Sequence, residues 1–148
     1  GSMMIKVSQA GNEYKVDVLK QYPPKDGMAC EQQTPIVWDG MMIGIQPKDA
    51  GSLRNQLVCV SPGDVTKVVW TSGKDGRFGL GPYLIADQKM FILDDEGTLT
   101  MIKPDKRKYT QLAQKKLFDG ADAWGPMALA DGFLMLRDSK KMYCVKVN

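Results

Sequence analysis

The sequence predicts an all-β fold, a partial β-propeller of about three to four four-stranded antiparallel blades. Three observations carry this. Short apolar runs are punctuated by Asp-Gly, Gly-Pro and Asp-rich turns along nearly all of the 148 residues, the pattern of successive hairpins. Pro35, Pro82 and Pro126 recur 47 and 44 residues apart, within the ~40–50 residues expected when one four-stranded blade follows another. Helical periodicity is nearly absent, since an apolar stripe at i, i+3, i+4 is hinted at only in residues 109–118.

The clearest stretch runs from Trp124 to Val147. Two apolar runs meet at Asp131-Gly132, a pair that accepts the positive φ of a tight hairpin, and a polar turn at residues 138–141 leads to a third strand. That meander recurs upstream. Gly81-Pro82 leads through Ala86-Asp87 to Phe91-Ile92-Leu93, then a turn at residues 94–97 and a strand at 99–102.

In chain order, residues 4–7 and 14–19 flank Ala10-Gly11-Asn12 as a hairpin. Residues 22–29, with Pro23-Pro24 and Asp26-Gly27, form a loop by their breakers. Ile36-Val37-Trp38, the turn Asp39-Gly40 and residues 41–45 begin the next unit. A longer loop at 46–55 precedes a strand at 56–60, and Ser61-Pro62-Gly63-Asp64 turns the chain into Lys67-Val68-Val69-Trp70. In the following unit Lys103-Pro104-Asp105-Lys106 takes that turn's place and residues 109–113 supply a less apolar fourth strand. The expected organisation is therefore residues 1–3 as a tag scar, signalled by Gly1-Ser2, then 4–20 as the end of one blade, 34–70 and 81–115 as blades, and 125–147 as an incomplete blade.

Composition narrows the chemistry. With 43% hydrophobic and 25% charged residues the chain can bury one ordinary core, and disorder throughout is excluded. A net charge of +3, spread over turn lysines, gives no case for nucleic acid or an anionic membrane. No apolar run approaches the ~18 residues of a membrane span. Cys30, Cys59 and Cys144 are widely spaced and read as small buried hydrophobes rather than as disulfides or a metal site. There is no histidine, so the familiar catalytic triads are excluded.

The repeated unit of Gly-Pro, strand, Ala-Asp-Gly, strand, Asp-rich turn, strand, turn and strand ending in Trp resembles the quinoprotein-like, or PQQ-like, propeller repeats. Pro35 with Asp39-Gly40, Pro82 with Ala86-Asp87, and Pro126 with Ala130-Asp131-Gly132 carry the likeness, together with Lys67-Val68-Val69-Trp70. Such repeats occur in quinone-dependent dehydrogenases and in the noncatalytic lipoprotein of the outer-membrane barrel assembly machinery, which implies a periplasmic or extracellular location. The docking motif survives only in part at residues 61–70, the second unit lacks the strand-end tryptophan, and the adjacent cysteine pair of catalytic members is missing. The resemblance thus implies a scaffold that binds no cofactor, PQQ included, in which the chain is expected to be a C-terminal fragment of a larger propeller. The rival is a fragment of a quinone-dependent oxidoreductase or of a carbohydrate-active propeller enzyme.

About three and a quarter blades leave an open arc, whereas closed rings need at least four. Either the missing blades of a longer parent chain or a second copy forming a homodimer is expected to complete it. Links between blades gather at one mouth of a propeller's channel, and here they end in parallel at Pro35, Pro82 and Pro126. Glu31, Gln32, Arg77, Phe78, Asp122 and Trp124 are therefore the candidate binding residues for a protein or small ligand. No residue is expected to be catalytic or to hold a metal. Phe78 and Trp124 have an alternative in packing against the adjoining blade, and Asp94-Asp95-Glu96 is read as a turn ending at Gly97 rather than a cation site.

Overall fold

In the computed structural model, which describes residues 1–23 and 25–147, thirteen strands form four separate antiparallel sheets. The first sheet is the hairpin β1 (Ser2–Ala10) and β2 (Glu13–Tyr22). The second runs β3 (Ile36–Trp38), β4 (Met41–Ile45), β5 (Leu57–Ser61) and β6 (Asp64–Thr71), and the third β7 (Tyr83–Ala86), β8 (Lys89–Leu93), β9 (Thr98–Ile102) and β10 (Gln111–Lys116). The fourth has β11 (Ala128–Ala130), β12 (Phe133–Arg137) and β13 (Met142–Lys146). Each sheet is a sequential meander with no crossover.

The hairpin turns follow from residue chemistry. Asp39 and Gly40 adopt φ of 47° and 74°, Asp131 and Gly132 49° and 77°, and Asp87 and Gln88 47° and 56°. Two consecutive positive φ values match the right-handed twist of flanking strands, and aspartate tolerates the first of them. The third pair reaches the same geometry with no glycine.

Alternation along the central strands places the core. Leu57 and Cys59 of β5 join Met90 and Ile92 of β8 in a cluster with Ile43, Trp70 and Ile102, between the second and third sheets. Phe91 and Leu93, on the opposite face of β8, pack with Leu134 and Leu136 of β12 between the third and fourth sheets. Val58 and Val60 join Met28 and Val65 on the other side of the second sheet. The two middle sheets are apolar on both faces, and the second, third and fourth sheets stack in chain order, while the outer face of the second is covered by Met28 and Cys30 of the preceding loop and Tyr22 at the end of β2. Between the second and third, Trp70 Nε1–H donates to the Asp105 carbonyl at 2.7 Å and its ring lies 6.0 Å from Tyr109. Between the third and fourth, Phe118 and Tyr143 stack at 4.0 Å.

Two details differ from expectation. Residues 109–118 hold the strand β10, which begins at Gln111 and extends to Lys116 because it pairs with β9 from Ile102 back to Thr98. The loop at 46–55 contains one 3-10 turn, Gly51–Leu53. No helix is long and apolar enough to cross a membrane among the described residues.

Candidate functional site

The segments joining one sheet to the next are tied down by polar side chains, Gln46 buried and Gln33 and Asp95 half-buried. Gln33 clamps the start of the third sheet: its Nε2 donates to the Tyr83 carbonyl at 2.7 Å and its Oε1 accepts from Tyr83 N at 3.4 Å. The Tyr83 hydroxyl returns the contact, lying 3.2 Å from the carbonyls of both Gln33 and Thr34 and 3.8 Å from Cys30 Sγ. Gln46, at the end of β4, donates to the Gly27 carbonyl and accepts from Ala29 N. A buried polar group left unpaired is costly, so these glutamines fix the loops they hold.

Asp95 performs the same task one sheet on. Its carboxylate accepts from Leu80 N at 2.6 Å, and its carbonyl accepts from Ala123 N at 3.2 Å. The second and third links are thereby fastened to the β8–β9 turn. Burial raises the Asp95 carboxyl above its ordinary value of 3.8, the Leu80 N–H opposes this, and Asp94, Asp122 and Glu96 add to the rise. Asp94 Oδ1 accepts from the backbone N–H groups of Glu96 and Thr98, the work of a turn residue.

Between the first and second links lies a cleft of about 10 Å³, lined by Glu31, Gln32, Gln33, Gln46 and Leu80 with Cys30 and Tyr83 at its base. That is space for one water molecule, against the ~300–1,000 Å³ of small-molecule sites. Burial pushes the Cys30 thiol up to about 11, with the Tyr83 hydrogen bond opposing. Burial likewise raises the Tyr83 phenol, and Cys30 adds to it. Both groups are neutral at physiological pH, so Cys30 is a thiol rather than a nucleophilic thiolate.

The six residues singled out from the sequence fall into different surroundings. Glu31 and Gln32 are exposed at the rim of the cleft. Phe78 is buried in the core between the second and third sheets, the packing role weighed for it. Arg77 donates its guanidinium to the Arg54 carbonyl and forms a bridge with Gln56, so it fastens the long loop of the second sheet. Asp122, at φ 56°, and Trp124, 39% exposed, belong to the third link and do not line the cleft. Gln33, Gln46 and Tyr83 are not among the sequence candidates, and Asp95 is there only as a turn residue. Gln46 and Asp95 share one signal, a polar residue just beyond an apolar strand, which by itself means only that the strand has ended.

Roomier hollows lie elsewhere. One of about 310 Å³ separates the start of β1 from the second sheet, among Met4, Tyr22, Met28, Met42 and Val65. Another of about 350 Å³ runs beside β13, among Phe91, Leu99, Met101, Leu117, Val145 and Val147. Among the described residues no three His, Cys, Asp or Glu side chains converge as metal ligands. No protein-family model matches the chain, and no curated protein matches its sequence.

Proposed function

We propose that this chain is an arc of a quinoprotein-like propeller that acts as a noncatalytic scaffold in the periplasm or outside the cell. It holds a protein or small ligand through the links between sheets. The observation that supports this best is the burial of the third sheet on both faces by the second and the fourth, with every sheet a meander in chain order. Blades of a propeller stack in this way. The polar clamps at Gln33, Gln46 and Asp95 make the links a rigid platform, and the exposed Glu31, Gln32, Asp122 and Trp124 project from it. A mouth with space for only one water favours a macromolecular contact over an enclosed small molecule.

The experiment is a pair of measurements on the full chain. Titration with pyrroloquinoline quinone and calcium, followed by dye-linked oxidation of alcohols and sugars, is expected to give neither saturable binding nor turnover. Capture from an envelope extract is expected to yield a partner that Trp124→Ala and Glu31→Lys release and that Val37→Lys, an exposed position of β3, retains. Quinone binding with turnover refutes the noncatalytic reading, and a partner indifferent to the link substitutions refutes the site.

A further inference from the structure

Most sheet edges in this fold are blunted. At one side of their sheets β3, β7 and β11 are only three or four residues long. On other edges β2, β6 and β10 each lose register against their neighbours, leaving Leu19, Val69 and Leu112 without a partner. Short edge strands and bulges are the usual protection against pairing with another chain. β13 has neither. It pairs with β12 in unbroken register from Met142 to Lys146 and ends a sheet of three, in the place where β5 and β9 are covered by β6 and β10.

Backbone hydrogen bonds define its free side. Val147 N donates to the Gly132 carbonyl at 2.9 Å and Asp138 N to the Lys141 carbonyl at 3.0 Å. Bonded and non-bonded pairs alternate along an antiparallel ladder, so Tyr143 and Val145 bond to β12 while Met142, Cys144 and Lys146 turn their N–H and C=O groups outward. Next to that edge lies the hollow of about 350 Å³, where the third sheet supplies Leu99, Met101 and Ala113 and β13 supplies Val145. Its charged lining is Lys115 and Lys146, with no acidic residue.

We propose that the β13 edge binds an extended segment of another protein, added antiparallel as the fourth strand of the last sheet, with apolar side chains at alternate positions and acidic ones between them. At the usual strand spacing of about 4.8 Å such a strand covers the hollow, and its inward residues, level with Tyr143 and Val145, meet the apolar floor. Its outward residues stand beside Met142, Cys144 and Lys146, where the lysine favours a carboxylate. A second copy of the chain fits less well. The edge strands it could offer without an extra residue of their own, β1 and β13, bring Lys6 or Lys146 and no acid to a place already lined by lysines. None of this requires the propeller reading, and Glu31 and Trp124 do not line the hollow.

Isothermal titration calorimetry of the whole chain with an end-blocked octapeptide of alternating valine and glutamate tests the assignment. Saturable binding is expected, weakened about tenfold by Cys144→Pro and by Lys146→Glu. The Cys144 N–H serves no bond to β12, so proline there should leave the melting temperature nearly unchanged. Lys146→Glu, at an exposed position, carries the test if the proline variant does not fold. In the antiparallel register the glutamate N–H groups meet β13, so N-methylation of the glutamates should abolish binding and N-methylation of the valines should be tolerated. No binding, binding that survives the variants, equal binding of a peptide of alternating valine and lysine, or loss with the valine-methylated peptide overturns the proposal. So does a wild-type dimer in sedimentation velocity that Cys144→Pro dissolves, which would put a second copy on the edge.

Discussion

Replacing Ile92 with alanine removes a fully buried side chain from the centre of β8, on the face turned to the second sheet. Buried isoleucine truncations cost about 2–5 kcal/mol because the lost transfer energy is joined by a cavity. Ile92 lies deep between two sheets held at Trp70 and Tyr109, so collapse around the void is limited and about 3 kcal/mol is expected. For a chain of this size that lowers the melting temperature by about 6–12 °C. Urea unfolding followed by the fluorescence of Trp38, Trp70 and Trp124 reads the change, with the m value constant. The sharper test is a double-mutant cycle. Ile43→Ala shares the cavity with Ile92 and should couple to it by about 0.5 kcal/mol or more, whereas Leu136→Ala, beyond the opposite face of β8, should be additive to within about 0.5 kcal/mol. Coupling to Leu136 with additivity at Ile43 would refute the stacking of sheets on both sides of β8.

Trp70→Phe keeps most of the packing but leaves the Asp105 carbonyl without its donor, which should cost about 1–3 kcal/mol in the same unfolding assay. The Asp138 carboxyl is held below its ordinary value of 3.8 by the backbone N–H groups of Lys140 and Lys141. Its contribution is complete above that value and is lost as pH falls through the lower folded one, so Asp138→Asn should flatten the acid limb of the stability curve. Asp95, shifted the other way, contributes with opposite sign, and the comparison is cleanest in an Asp95→Asn background. Of the three thiols, Cys144 is exposed while burial pushes Cys30 and Cys59 up to about 11. At pH 8 a disulfide reagent should therefore modify Cys144 first, the half-buried Cys30 more slowly and Cys59 only on unfolding, and equal rates for Cys144 and Cys59 would contradict the burial of Cys59.

Much of the fold is legible because its turns are chemically specific. Asp39-Gly40 and Asp131-Gly132 mark hairpins to the residue, since few other pairs accept two positive φ values. Strand β10 was blurred for the opposite reason. Gln111–Lys116 is wholly exposed and built largely from good helix formers, so only its pairing with β9 makes it a strand. The site was harder still. Gln33 and Tyr83 are fifty residues apart, and nothing local to either announces a side chain that bonds to remote backbone. Arg77 and Phe78 stood in the right link, yet one reaches back to Arg54 and the other fills the core. A link is recognisable from its breakers, whereas the direction of each side chain is decided by the sheets on either side of it.

Because no strand leaves its own meander, the hydrogen-bond ladders are independent modules joined only by side-chain contact and a few loop tethers. Each can assemble from neighbouring sequence as it leaves the ribosome, without waiting for a distant partner. Duplication or loss of a whole sheet rewires no ladder, so the number of modules is a quantity that evolution can alter by simple copying.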